Sequence, residues 1–291
     1  MTSSAPSVDL YCVLGNPIAH SRSPWIHTRF AELTGERLRY EARLVPLDGF
    51  ASAIARLAAE GARGCNVTVP FKLEAVAAAT RCSERVQLAG AANTLSFVNG
   101  AVLADNTDGL GLVADITRNA GFGIAGRDVL LIGAGGAAAG ALAPLLAAGP
   151  RRVVVANRTL ARAEALVRAH RPLALLHKAE LLAQSTQALE HDFDLIINAT
   201  ASSLAGDVVP VPARVLRPGS LAYDMMYGPA AQGFLDWATA GGAQARDGLG
   251  MLVEQAAEAF ALWRGVRPPS AQVLQEMRTA SAAAATGAAR P

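Results

Sequence analysis

Charge is scarce in this chain and nearly cancels. Asp, Glu, Lys and Arg make up 17% of the 291 residues, and 26 basic side chains stand against 24 acidic ones, a net charge of +2. So even a balance provides no broad basic face for a phosphate backbone, and nucleic acid is excluded as an expected partner. Cysteine is equally sparse. Cys12, Cys65 and Cys82 are odd in number and far apart, which indicates neither a disulfide framework nor a CxxC zinc site; buried free thiols are expected. The five histidines include His20 and His27, but no HExxH or paired-carboxylate spacing accompanies them, so no metal is expected; His170, His177 and His191 read as helix-end or surface positions. The opening residues lack a basic start followed by an apolar core, so no secretory signal is visible and the cytoplasm is the expected compartment. The most apolar stretch, residues 137–149, contains Pro144 and falls well short of the roughly 20 residues needed to cross a bilayer, so no membrane span is expected.

What the chain has is apolar material: 52% of its residues are hydrophobic, enough for two cores in a length that suits two domains with a cleft between them. No repeat of 20–50 residues is visible. From Leu10 onward, short β-branched runs alternate with longer Ala-rich segments of helical periodicity, the rhythm of parallel α/β units. Strands are predicted over residues 10–14, 39–45, 64–68, 95–98, 101–104, 128–132, 152–156, 194–198 and 220–224. Helices are predicted near 24–34, 48–60, 72–79, 83–88, 109–121, 136–148, 160–169, 178–183 and 231–240. A further helix over 248–264 carries Met251, Leu252, Gln255, Ala256, Ala259, Phe260 and Trp263 on one face, able to pack back on the first domain. Domain breaks are expected near Asp108 and Asp247, and residues 279–291, mostly Ala without an apolar pattern, are expected to fray.

The segment DVLLIGAGG, residues 128–136, is a hydrophobic strand running into a glycine turn and then an Ala-rich helix. That is the context of a dinucleotide-binding turn. Gly133 permits the tight bend, Gly135 lets the backbone approach a pyrophosphate, Ala138 takes the third small position, and the helix offers free N–H groups at a positive dipole end. The next strand ends at Asn157, Arg158 and Thr159, where an Asp or Glu that would accept from NAD ribose hydroxyls is missing. Arg158, with Arg162 one helical turn later, suits the extra 2′-phosphate of NADP instead.

Polar residues of the first half gather in a second pattern. Ser21 and Ser23 lie between a strand and Pro24, the expected first helical residue, where they serve either as carboxylate binders or as plain helix caps. Asn66 and Thr68 are two apart on one side of a strand, with Lys72 just beyond Pro70; Asn93 and Asp108 follow apolar or glycine-rich stretches where loops converge. A ketone receiving hydride develops negative charge on oxygen, which a lysine ammonium stabilises and protonates, and Asp108 is placed to orient Lys72. An exposed lysine titrates near about 10.4, so shuttling a proton at neutral pH would call for partial desolvation.

The motifs YCVLGNPIAHSRSPWIH, NVTVPFK, GAANTL, DNTDG, GAGGA, NRT, INAT, YDMMYGP and DGLGMLVEQAAEAF occur in this order between Tyr11 and Trp263, and together closely resemble the shikimate dehydrogenase family. The resemblance implies an N-terminal α/β substrate domain (residues 1–108 plus 248–291), a Rossmann-type doubly wound NADP domain (109–247), and an interdomain cleft. It implies reversible, NADPH-dependent reduction of 3-dehydroshikimate to shikimate on the route to aromatic amino acids. Ser21, Ser23 and Tyr227 would hold the substrate carboxylate, and Asn66, Thr68, Asn93, Asp108 and Gln255 its ring hydroxyls, with Lys72 and Asp108 as the catalytic pair. Gly133, Ala134, Gly135, Gly136, Ala137, Asn157, Arg158, Thr159 and Arg162 would cradle NADP, with Thr200, Met225 and Gly248 near its nicotinamide end and Glu84 as a further cofactor-side candidate. After INAT the family often reads Ser-Ser-Gly, whereas this chain has Ala201, Ser202 and Ser203.

Two rival readings stand beside this one. A quinate/shikimate dehydrogenase would act on a substrate without the ring double bond, and an NAD preference there would sit poorly with the NRT segment. A non-catalytic NADPH-binding regulatory module would have no need of both Lys72 and Asp108. The expected partner is a small molecule, with the chain a monomer or homodimer.

Overall fold

The computed structural model describes residues 8–200 and 209–287, which divide into two compact units. Among the described residues, unit 1 comprises those up to 87, those of 91–107 and those from 253 onward; unit 2 comprises those of 88–90 and 108–252.

Unit 1 is built on a six-stranded sheet in the order β2-β1-β3-β5-β6-β4. Its strands are β1 (Asp9–Gly15), β2 (Leu38–Leu44), β3 (Gly64–Val67), β4 (Arg81–Cys82), β5 (Thr94–Val98) and β6 (Ala101–Asp105). Between them run α1 (Ser23–Thr34), α2 (Phe50–Ala59), α3 (Lys72–Ala77) and α4 (Glu84–Ala89). The period-two alternation of β1 sends Leu10, Cys12 and Leu14 to one face, against Phe50, Ile54 and Leu57 of α2. Tyr11 and Val13 go to the other face, with Ile18, Tyr40 and Trp263. β1 pairs in parallel with β2 and β3, whereas β5 runs antiparallel to both β3 and β6. The β5–β6 reversal is an Asn99-Gly100 turn with both residues at positive φ, the two-residue connection that matches strand twist.

Unit 2 carries β7 (Asp128–Ile132), β8 (Arg152–Asn157), β9 (Glu180–Ser185), β10 (Leu195–Asn198), β11 (Leu221–Asp224) and β12 (Gln244–Arg246). Its helices are α5 (Asp108–Ala114), α6 (Gly136–Ala147), α7 (Leu160–Leu176) and α8 (Gln232–Ala240). The sheet is wholly parallel in the order β12-β11-β10-β7-β8-β9. Counted from β7 as the first strand, that is the 3-2-1-4-5-6 order of the Rossmann fold, with its switch point between β7 and β10. Every residue of β7 is buried because both sheet faces are covered: Leu131 packs with Leu142 and Leu145 of α6, and Leu130 with Ile196 and Phe234 on the other side.

Two further helices complete the described chain. α9 (Leu249–Arg264) begins in unit 2 and ends in unit 1, and α10 (Ser270–Gly287) belongs to unit 1. α9 is buried more widely than one face, since Val253, Glu254 and Ala257 are buried as well. Glu254 is satisfied there by the Ser270 hydroxyl at 2.8 Å and by Arg267 at 3.3 Å.

Several expectations need correction. Residues 178–183 are not a helix: Glu180–Ser185 is β9, paired along its whole length with β8, so sheet pairing overrides the helix propensity of Glu-Leu-Leu-Ala. α7 continues past residue 169 to Leu176, through Pro172. His170 is fully buried on it, its Nδ1 bonded to the Leu166 carbonyl at 3.0 Å, and burial lowers its pKa. The short strands β4 and β12 lack any β-branched run. The helix expected over 109–121 is α5 followed by a π turn, Asp115–Asn119. The tail expected to fray is helical as far as Gly287, anchored upstream by Val273, Leu274 and Met277 and carried on by alanine's high helix propensity.

Candidate active site

In unit 1 the end of β1 and the turn after β3 approach closely. A Cβ on Gly15 would stand 2.6 Å from the Thr68 methyl and 2.8 Å from Ile18, so only glycine admits Thr68 at that point. The loop after β1 enters α1 through Ser21, whose Oγ accepts from the Ser23 backbone N–H at 3.3 Å; Ser23 itself is buried. Ser21 thus meets the first helical N–H of α1 from the residue before the N-cap, Arg22, whose own side chain makes no cap bond, while Ser23 lies inside the unit.

Asn66 and Asn93 form the centre of a buried amide and hydroxyl cluster. The Asn66 Oδ1 accepts from Tyr40 Oη at 2.7 Å, and its Nδ2 donates to the Asn93 carbonyl and to Thr94 Oγ1, both at 3.1 Å. Asn93 Nδ2 donates to Thr107 Oγ1 at 3.0 Å and to Gln255 Oε1 at 3.2 Å, and its Oδ1 accepts from the Thr107 N–H at 2.8 Å. Gln255, on α9, is thus brought to Asn93 across 162 residues of sequence. Lys72 opens α3 directly after the fully buried Phe71, is half-buried, and its carbonyl accepts from the Ala92 N–H at 2.9 Å, which ties the lysine's backbone to the strand entry before Asn93. Thr68 is half-buried at the end of the same segment. Glu84 is exposed in the first turn of α4. Tyr40, Thr94 and Thr107 are members of this cluster that sequence reasoning passed over, although Thr94 and Thr107 lie inside the GAANTL and DNTDG motifs. His27 lies behind them, stacked on Tyr40 with ring centroids 4.1 Å apart and planes 2° from parallel.

In unit 2 the glycine turn sits at the sheet's switch point. Gly133 has φ of +108°, and a Cβ there would press on the Ala199 carbonyl and the Thr200 methyl at 3.1 Å. Gly135, Gly136 and Ala137 are exposed, and added Cβ atoms at Gly135 and Gly136 would meet open space. No side chain caps α6, so its first N–H groups are presented outward, a fit for a pyrophosphate. Ala134, next to them, is half-buried. At the tip of β8, Asn157 Nδ2 donates to the Thr159 carbonyl at 2.8 Å and shapes the turn. Arg158 and Arg162 are exposed there, with no carboxylate partner among the described residues. That donor set fits a phosphate dianion and not a ribose diol.

Thr200 follows β10 with its N–H and Oγ1 both donating to Asn198 Oδ1, at 3.1 and 2.7 Å. Asn198 in turn donates to Asp224, whose other oxygen accepts from the Met226 N–H at 2.9 Å. The buried Asn198 and Asp224, absent from the sequence reading, set the loop holding Met225 and Tyr227. Met225 is buried and Tyr227 is 37% exposed. A Cβ on Gly248 would overlap the Met225 carbonyl, so the two segments touch backbone to backbone. Asp108 is the first residue of α5, half-buried, and belongs to unit 2. Residues 201–203 of the INAT loop lie outside the described residues. Among the described residues no group of three His, Cys, Asp or Glu side chains could hold a metal, and no helix is long and apolar enough to cross a membrane.

A parallel dinucleotide-type sheet with two exposed arginines after the tip of β8, in one chain with a buried amide cluster, is the arrangement of a two-unit NADP-linked dehydrogenase. Family models match three stretches of the chain: the shikimate dehydrogenase substrate binding domain residues 13–95, shikimate / quinate 5-dehydrogenase residues 116–206, and the shikimate 5′-dehydrogenase C-terminal domain residues 248–278. The chain is 74% identical over 285 residues to the shikimate dehydrogenase (NADP(+)) of Acidovorax sp. strain JS42, covering 98% of this chain and 100% of that protein. Among solved structures, an Ael1 enzyme from Pseudomonas putida superposes with a TM-score of 0.86 at 46% identity, covering 92% and 97% of the two chains. The shikimate 5-dehydrogenase of Thermus thermophilus, solved with NADP(H) and shikimate, gives 0.80 at 31% identity, covering 94% and 99%. The chain belongs to the shikimate dehydrogenase family, oxidoreductases that act on a CH–OH group with NADP.

Proposed function

We propose that the chain reduces 3-dehydroshikimate reversibly to shikimate with NADPH, in the biosynthesis of aromatic amino acids and in the cytoplasm. The observation that carries the reading is the Asn66–Asn93–Gln255 cluster. Three side-chain amides held in fixed orientation, next to the strand entry to which the Lys72 backbone is tied, suit a site that reads hydroxyl groups, which a bare dinucleotide-binding module would not need.

Asn66, Thr68, Asn93 and Gln255 take the ring hydroxyls in this reading, and Ser21, Ser23 and Tyr227 the carboxylate. NADPH, when bound, supplies the hydride. Residues 133–137 would hold its pyrophosphate at the α6 N-terminus, Asn157, Arg158, Thr159 and Arg162 its 2′-phosphate side, and Thr200, Met225 and Gly248 its nicotinamide side. As the carbonyl carbon becomes tetrahedral, its oxygen gains charge. The Lys72 ammonium stabilises that charge and delivers the proton, and Asp108 binds the same hydroxyl and orients the lysine. In the reverse direction the pair accepts the proton.

Purified protein mixed with NADP and shikimate should generate NADPH absorbance, with parallel reactions using quinate and NAD. Turnover of shikimate with NADP well above the other three combinations is the expected result. Binding of NADPH without turnover of either acid would overturn the enzymatic reading in favour of a binding module.

A further inference from the structure

Asp115 is a carboxylate that the chemistry above does not use, and it is fully buried in unit 2. Four donors satisfy it. Arg246 on β12 grips it with Nε at 2.8 Å and Nη2 at 2.6 Å, Tyr223 Oη on β11 donates at 2.8 Å, and Asn119 Nδ2 at 2.9 Å. Burial pushes the Tyr223 hydroxyl well above its ordinary pKa, so it stays a donor; its oxygen also accepts from the Met251 N–H at 3.3 Å. A Cβ on Gly250 would overlap the Asp115 carboxylate, so the start of α9 lies directly against the acid.

The position of this cluster gives it its meaning. Asp115 begins the π turn that ends α5, seven residues beyond Asp108, which is two turns along the same face of that helical run. Residues 248–251 are the backbone that touches Met225 and that receives the Tyr223 contact. One buried acid therefore ties the helix that begins with Asp108 to the segment assigned to the nicotinamide end. Apolar side chains would hold two elements together at least as tightly, but a four-donor carboxylate admits a single register, because a shifted element leaves a buried charge uncompensated.

We infer that Asp115 is a positioning residue, which through Arg246, Tyr223 and the approach of Gly250 fixes Asp108 relative to the nicotinamide-side segment 248–251. The inference rests on the assignment of Asp108, Met225 and Gly248 in the proposed function.

Tyr223→Phe tests it, with Arg246→Lys as a second variant that keeps the charge but breaks the two-pronged grip. For each, kcat, the KM for shikimate, the dissociation constant for NADPH by fluorescence titration, and the time-resolved anisotropy of protein-bound NADPH are measured. The expected result is a kcat lower by about 10–100-fold, as small misplacements near the reacting atoms produce. The KM for shikimate and the NADPH dissociation constant should stay within about twofold, because the pyrophosphate and 2′-phosphate contacts are untouched, and the bound NADPH should show faster local depolarisation. A wild-type kcat in a folded variant, or NADPH affinity falling in step with kcat, overturns the inference. If Tyr223→Phe does not fold, Arg246→Lys decides by the same readouts. A wild-type protein that neither binds NADPH nor oxidises shikimate would instead sink the underlying assignment, and the two failures are told apart by that control.

Discussion

The Tyr40 hydroxyl donates a 2.7 Å hydrogen bond to the Oδ1 of Asn66, and so decides which way the Asn66 amide faces. With Oδ1 committed to Tyr40 and Nδ2 to Asn93 and Thr94, the amide has one orientation in which all its bonds are met. Tyr40→Phe keeps the ring and its stack on His27 but frees the amide. The KM for shikimate should rise about 3–10-fold, the equivalent of one hydrogen bond of roughly 0.5–1.5 kcal/mol, with kcat nearly unchanged. An unaltered KM accompanied by a lower melting temperature would show that the bond serves stability alone.

Lys72→Ala should lower kcat by about 10²–10⁴ while KM for shikimate and NADPH affinity move little. The fold is expected to survive, since the fully buried Phe71 anchors the helix start. Steady-state kinetics decide the matter: a kcat at the wild-type level removes Lys72 from the chemistry.

Arg158→Asp places an acid where NAD-binding proteins keep one. Because Arg158 is exposed and has no carboxylate partner among the described residues, its loss should not disturb the fold. The KM for NADP should rise far more than that for NAD. Equal losses for both cofactors would assign the 2′-phosphate to other residues.

His27 makes stability depend on pH. It is fully buried, neither ring nitrogen meets a partner at hydrogen-bond geometry among the described residues, and burial, offset only in part by the nearby Asn66 side chain, pulls its pKa from 6.5 to about 3. Between those values the unfolded chain holds a proton that the folded chain refuses. The stability is therefore fully present above about pH 6.5 and declines as pH falls toward 3, by about 1.4 kcal/mol per unit from this group. Urea unfolding of the wild type and His27→Phe at several pH values from about 7 to about 4 should show the variant with the shallower decline. Parallel declines would mean that other groups account for the acid sensitivity.

The repeated strand and helix rhythm was legible where the parallel strands of unit 2 are covered on both faces and so read as unbroken apolar runs, as in Val129–Ile132 with its glycine turn behind it. β9 was not: its Leu-Leu-Ala composition suits a helix equally well, and only pairing with β8 settles it. The site divides in the same way. Lys72, Asn66 and Asn93 stand in short motifs whose spacing is visible. Tyr40 and Asp115 act through partners 26 and 131 residues away, at Asn66 and Arg246, and such meetings are decided by how the sheets stack and not by any local pattern. His170 shows the limit from the other side, for a histidine near a helix end reads as surface until the neighbouring layer is in place.

Unit 1 is assembled from segments on both sides of unit 2. Unit 2 is thus complete in sequence once residue 252 has left the ribosome, whereas unit 1 still lacks the part of α9 that carries Gln255, and α10. Synthesis therefore completes every segment of unit 2 ahead of unit 1, and a chain cut immediately after residue 252 would keep the dinucleotide turn while losing Gln255.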